Sequence, residues 1–127
     1  MLVVDTSVLV GHLRGDAGCR DLLRAALRTG EVRVPTLVEW ELWKGAERAL
    51  ERSKVKALLD VFEPALLTPD VARVAAQVHR ELSTQGRPLP GIDVLIAAHA
   101  LQLGCPLAAI DGDFARIPDL FVVGPTG

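Results

Sequence analysis

Four acidic residues stand at positions where carboxylates can do chemistry. Asp5 directly follows the apolar run 2–4, Asp111 follows a second apolar run at 107–110, and Glu41 and Asp93 lie in segments with helical periodicity. If the fold brings them together, each pair about 5 Å apart repels by about 3 kcal/mol at an effective dielectric near 20, so the cluster needs protons or a cation. Oxygen ligands without a Cys or His cluster favour Mg²⁺ or Mn²⁺ over zinc.

Each of these acids also has a simpler structural interpretation. Asp5 can cap a short helix that follows it, and Asp93 can cap the helix that it opens. Glu41 can turn to solvent or pair with Lys44 or Arg48. These alternatives remain open at the level of sequence.

The segment Asp111-Gly112-Asp113 is open to two interpretations as well. An Asx turn in which Asp113 caps a short helix explains it without any chemistry. As a metal-binding element it leaves undecided which of the two acids approaches the ion, since Gly112 is flexible enough to permit either.

Helical geometry separates Glu41 from its neighbour Glu39. Successive helix residues turn by about 100°, so Glu41 lies on the arc of apolar or small residues formed by Leu37, Val38, Leu42 and Gly45. Glu39 lies on the other side, and we expect it at the surface. If the apolar arc faces the sheet, Glu41 is the carboxylate that points inward.

Short aliphatic runs alternate with longer helical segments, which predicts a three-layer α/β sandwich with a mostly parallel sheet in a single domain, residues 1–127. The predicted strands are 2–4, 32–34, 65–67, 107–110 and 121–123. The predicted helices are 17–27, 36–44, 46–61, 69–84 and 92–103. The order 3-2-1-4-5, common for doubly wound sheets, would place Asp5 and Asp111 side by side at the switch point.

Composition limits the classes of function. The chain has 127 residues, 50% of them hydrophobic, and a formal net charge of -2, which is too little positive charge to hold nucleic acid by bulk electrostatics. Any cations that steer a phosphate must therefore be local. Two cysteines far apart in sequence and no apolar run of about 18 residues favour a cytoplasmic protein without membrane attachment.

Several motifs resemble those of the PIN-domain ribonucleases, in particular the VapC toxins of toxin-antitoxin pairs. The matching stretches are 4–7 (VDTS), 41–46 (ELWKGA), 93–98 (DVLIAA), 111–114 (DGDF) and 117–120 (IPDL). They occur in family order over nearly the whole chain. One departure is Ala109, which stands two residues before Asp111, where the family often has Thr or Ser.

The resemblance implies a PIN-like fold and a set of site residues. Asp5, Glu41, Asp93 and Asp111 would be the catalytic acids, and Asp5, Asp93, Asp111 and Asp113 the candidate metal ligands. Thr6 and Ser7 are candidates for contacts with the substrate. Arg87, in the loop before Asp93, is a candidate for steering RNA to the site.

The resemblance also implies an activity and partners. The expected activity is Mg²⁺- or Mn²⁺-dependent hydrolysis of RNA phosphodiester bonds by the toxin of a VapBC-type pair, with a VapB-like antitoxin and a homodimer. One alternative is a PIN-like scaffold that binds RNA or protein without cleaving. A Mg²⁺-dependent phosphatase of the dehalogenase type is disfavoured, since Ser7 stands where such enzymes need a second Asp.

Overall fold

The computed structural model describes residues 1–125; Thr126 and Gly127, the end of the predicted domain, lie outside the described residues. Five strands form one parallel sheet: β1 (Leu2–Val4), β2 (Val32–Pro35), β3 (Glu63–Ala65), β4 (Leu107–Ala108) and β5 (Val122–Val123). Their order is β3-β2-β1-β4-β5, the order common for doubly wound sheets. All paired strands run in the same direction, so their carboxyl ends share one edge.

Helices connect the strands and cover the sheet. They are α1 (Thr6–Leu13), α2 (Ala17–Thr29), α3 (Thr36–Gly45), α4 (Ala49–Leu59), α5 (Pro69–Thr84) and α6 (Gly91–Leu103), and a 3₁₀ helix covers Gly112–Arg116. Strand β1 is the central strand, and Val3 and Val4 are fully buried. Burial on both faces explains why this strand has an unbroken apolar run rather than alternating residues.

Two predicted elements are placed differently in the structure. The third strand, predicted at 65–67, lies at Glu63–Ala65, and Leu66 and Leu67 are exposed. The strand is at the sheet edge and its register is set by pairing with β2, so its own hydrophobicity is a poor guide. The helix predicted at 46–61 begins only at Ala49.

The remaining elements agree with the sequence pattern within one or two residues, and α5 agrees at both ends. Helix α6 is apolar nearly all round and passes through the interior, where Ile96, Ala97 and Ala98 are fully buried. It ends at Gly104, whose φ of 67° is the left-handed conformation that favours glycine. Across residues 1–125, no helix has both the length and the apolar character needed to cross a membrane.

Candidate active site

Asp5 lies at the carboxyl end of β1 and is 5% exposed. Its amide donates to the carbonyl of Ala108 at the end of β4 (2.9 Å), which fixes it at the junction of the two central strands. Its Oδ2 accepts hydrogen bonds from the backbone N of Ser7 (3.2 Å) and from Ser7 Oγ (2.6 Å). The N-cap interpretation of Asp5 is therefore correct. The cap uses only one carboxylate oxygen, and burial still raises the pKa of Asp5.

Ser7 joins the ends of the two central strands. Its Oγ donates to Asp5 and accepts a hydrogen bond from the backbone N of Ile110 (3.2 Å). Ile110, the residue just before Asp111, is thereby linked through Ser7 to Asp5. Ala109 lacks a hydroxyl, but the hydroxyl of Ser7, in the helix after β1, accepts a hydrogen bond from the next residue, Ile110.

Glu41 accepts a hydrogen bond from Thr6 Oγ1 at Oε1 (2.7 Å) and is half-buried. Helix α3 buries Val38 and Leu42 of the predicted inward arc, whereas Gly45 at the end of that arc is exposed. Thr6 is the first residue of α1 and Glu41 lies on α3, so this bond connects two helices at the edge where β1 ends.

The ion-pair alternative for Glu41 is wrong, whereas its half-buried side chain keeps part of its surface in solvent. Lys44 Nζ lies over the ring of Trp40 at 4.5 Å, and Arg48 pairs with Glu51 at 3.7 Å. Glu39, expected at the surface, is half-buried and accepts a hydrogen bond from Trp43 Nε1 (3.3 Å). The indole provides a polar partner that the wheel pattern does not show.

Asp93 is the third residue of α6 and is half-buried. The N-cap alternative for Asp93 is wrong, because Pro90 occupies the cap position and no side chain caps this helix. Burial first, and then the charges of Asp5, Asp111, Glu41 and Asp113 in that order, raise the pKa of Asp93 to about 6. The helix N-terminus favours the anion, yet burial and repulsion outweigh it. The fold thus brings the other four predicted acids within electrostatic range of Asp93.

Asp111 and Asp113 follow β4 and are exposed. Asp111, not Asp113, caps the 3₁₀ helix: its Oδ1 accepts a hydrogen bond from the backbone N of Asp113 (2.9 Å). Asp113 instead forms an ion pair with Arg116 at 3.3 Å. Sequence reasoning missed Arg116, although its spacing of three residues from Asp113 was a usable signal. The pair offsets part of the charge of Asp113 and leaves that of Asp111 uncompensated.

The donor set fits a hard divalent cation, although the carboxylates do not form a closed cage. Among residues 1–125, no three acid, His or Cys side chains lie close enough together to coordinate one ion directly. Mg²⁺ usually keeps several waters and is held by only one or two carboxylates, so it suits an open arrangement. No ion pair within that part of the chain involves Asp5, Glu41, Asp93 or Asp111. Within residues 1–125, these four acids therefore have no ion-pair partner.

Comparison with known proteins identifies the family. The profile of the PIN domain matches residues 2–120. This chain belongs to the PIN-domain family. Ribonuclease VapC19 of Mycobacterium tuberculosis is 31% identical to this PIN domain over 122 residues, covering 94% of this chain and 97% of that protein. Ribonuclease VapC10 of the same organism is 35% identical over 111 residues, covering 87% and 83%.

A solved structure shares the fold of this PIN domain. The crystal structure of VapBC2 from Rickettsia felis bound to a DNA fragment from its promoter has a TM-score of 0.87, with 19% identity over 97% of each chain. PIN-domain ribonucleases are generally dependent on divalent metals, which agrees with the oxygen donor set at this sheet edge.

The three predicted substrate contacts differ in how the PIN domain presents them. The hydroxyl hydrogens of Thr6 and Ser7 are donated to Glu41 and Asp5, so in this structure both residues position carboxylates. Arg87 is exposed between α5 and α6, with its backbone N bonded to the carbonyl of Leu82 (2.9 Å). Its role in steering RNA stays a prediction.

Proposed function

We propose that this chain is a Mg²⁺- or Mn²⁺-dependent endoribonuclease that hydrolyses RNA phosphodiester bonds as the toxin of a VapBC-type pair. The observation that carries the proposal is the environment of Asp93, a carboxyl whose pKa is raised to about 6 by burial and by four other acids. The names of the relatives VapC19 and VapC10, both ribonucleases, support the same activity.

Asp5 and Asp93 are the residues that would hold the cation, with Asp111 beside them. Asp111 is favoured over Asp113 because the latter is paired with Arg116. A divalent cation bound there would supply Lewis-acid activation of water and would neutralise the charge that develops on the phosphate.

The residues of the chain prepare the reaction by fixing carboxylates in place. Ser7 holds Asp5 by a short hydrogen bond, and Thr6 holds Glu41 through Oε1. The other oxygen of Glu41 is then available to accept the proton of the attacking water. This preorganisation matters because a general base must be within hydrogen-bond distance of the proton that it removes.

The proposal includes partners and a compartment. The similarity to R. felis VapBC2 supports a VapB-like antitoxin as the partner, and a homodimer is expected for the toxin itself. RNA would be the substrate. The proposed compartment is the cytoplasm, where cysteines such as Cys19 and Cys105 remain thiols.

Cleavage of RNA by purified protein, freed of any antitoxin, tests the activity. Mg²⁺ or Mn²⁺ should support cleavage of single-stranded RNA and a chelator should stop it. Asp5→Asn and Asp93→Asn should abolish cleavage while circular dichroism shows folded protein. Asp60→Asn, at an exposed acid paired with Lys56, is the control and should cleave like the parent.

Two results would refute the proposal. Site variants that cleave as fast as the parent would show that the acids are wrongly assigned. RNA binding without cleavage under every metal condition would favour the non-cleaving scaffold instead.

A further inference from the structure

A cavity of about 350 Å³ lies between α1, α3 and α4 and shares Glu41 with the acidic site. Apolar side chains form much of its wall: Val10, Leu13, Leu42 and Val55. Its volume is within the range of about 300–1,000 Å³ that is typical of small-molecule pockets. A group bound there lies next to the catalytic acids, because Glu41 belongs to both.

Two cations line this cavity without carboxylate partners. Arg14, just after α1, and Lys54, on α4, are both exposed, and no ion pair among residues 1–125 includes either. Glu51 lines the cavity too, but it is paired with Arg48. The cavity therefore combines an apolar wall with two uncommitted positive charges.

We propose that this cavity holds the nucleotide next to the scissile bond of single-stranded RNA. Its base would pack on the apolar wall, and Arg14 and Lys54 would contact flanking phosphates. The proposal rests on the ribonuclease function proposed above and adds a binding subsite to it.

Electrostatics and shape favour RNA as the occupant. The acids repel phosphate, so a chain with a net charge of -2 needs local cations close to the reacting group. A base has apolar faces that suit an aliphatic wall only when it is unstacked and unpaired, as in single strands and loops. Double-stranded RNA is therefore expected to bind more weakly.

The salt dependence of binding tests the two cations. Affinity for a labelled single-stranded RNA is measured by fluorescence anisotropy in chelator, at several salt concentrations, so that no turnover occurs. Each lost phosphate contact reduces the magnitude of the negative slope of log K against log salt by about 0.7 for single strands. The double variant Arg14→Gln/Lys54→Gln should therefore reduce the magnitude of this slope by about 1.4. Lys56→Gln, on the same helix but paired with Asp60, should leave it unchanged.

A second variant tests the cavity itself without changing charge. A Cβ at Gly45, which lines the cavity, meets no atom within 4 Å, so Gly45→Leu adds apolar bulk at the cavity wall without a clash at Cβ. It should weaken RNA binding and change the base preference beside the cleavage site. An unfolding midpoint like that of the parent would confirm that the variant folds.

The outcomes separate this proposal from the ribonuclease function. Binding that depends on Arg14, Lys54 and Gly45 while no metal supports cleavage would leave the subsite standing and remove the nuclease. Cleavage with unchanged salt slope and unchanged base preference in these variants would overturn the subsite alone. Loss of antitoxin binding in Gly45→Leu with intact RNA affinity would overturn it as well, in favour of a peptide occupant.

Discussion

Asp93→Asn is expected to stabilise the metal-free protein at neutral pH while it removes activity. In the parent, burial and four neighbouring acids raise the pKa of Asp93 from the ordinary 3.8 to about 6. That difference corresponds to about 3 kcal/mol between the two protonation states. Asp93 is only partly buried, so solvent screening reduces the contribution to about 1 kcal/mol.

The sign follows from proton binding. Between pH 3.8 and about 6 the folded protein binds more protons at Asp93 than the unfolded chain does, so the parent loses stability as the pH rises through this window. Asparagine carries no charge at any of these pH values. The free energy of unfolding of the variant should thus exceed that of the parent by about 1 kcal/mol at pH 7.5, and this difference should vanish near pH 4.

Urea denaturation in chelator measures this difference, and thermal unfolding should show a midpoint about 4 °C higher for the variant at pH 7.5. Asp113→Asn is the matched control, because Arg116 already offsets the charge of Asp113. Adding Mg²⁺ should stabilise the parent by mass action and the variant less. A variant less stable than the parent at pH 7.5 in chelator would refute the argument that Asp93 is held in a repulsive cluster.

Three further substitutions probe other contacts. Gly11→Ala should destabilise the protein by about 1–3 kcal/mol in urea denaturation, since its Cβ would lie 2.5 Å from Cys19 Sγ. The double variant with Cys19→Ala should recover stability, and no recovery would contradict the clash. Burial lowers the pKa of His99 below 6.5, so the free energy of unfolding should fall as pH drops below that value. His99→Phe should flatten this pH dependence, and an unchanged pH profile in the variant would exclude His99 as its source. Thr6→Val should release Glu41 and lower kcat about tenfold at similar KM, and Thr6→Ser should restore kcat. Equal kcat in the parent and both variants would show that the hydrogen bond from Thr6 has no role in positioning Glu41.

The sequence determined the architecture and indicated which acids the fold brings near one another. Alternating apolar runs and helical segments predicted the parallel sheet, and the end of a strand marked Asp5 and Asp111. The strand order agrees with the one common for doubly wound sheets. The wheel position of Glu41 predicted its inward face correctly. These are local signals, since they depend on side-chain periodicity along a single element.

Only the tertiary structure decided how the acids are held and charged. Thr6 and Glu41 are 35 residues apart in sequence, and Ser7 and Ile110 are 103 apart, so their hydrogen bonds depend on how helices and strands pack. The raised pKa of Asp93 likewise arises from burial and from charges on other elements. Periodicity specifies which face of an element is buried, whereas the distance between two side chains is set by the packing of the whole chain.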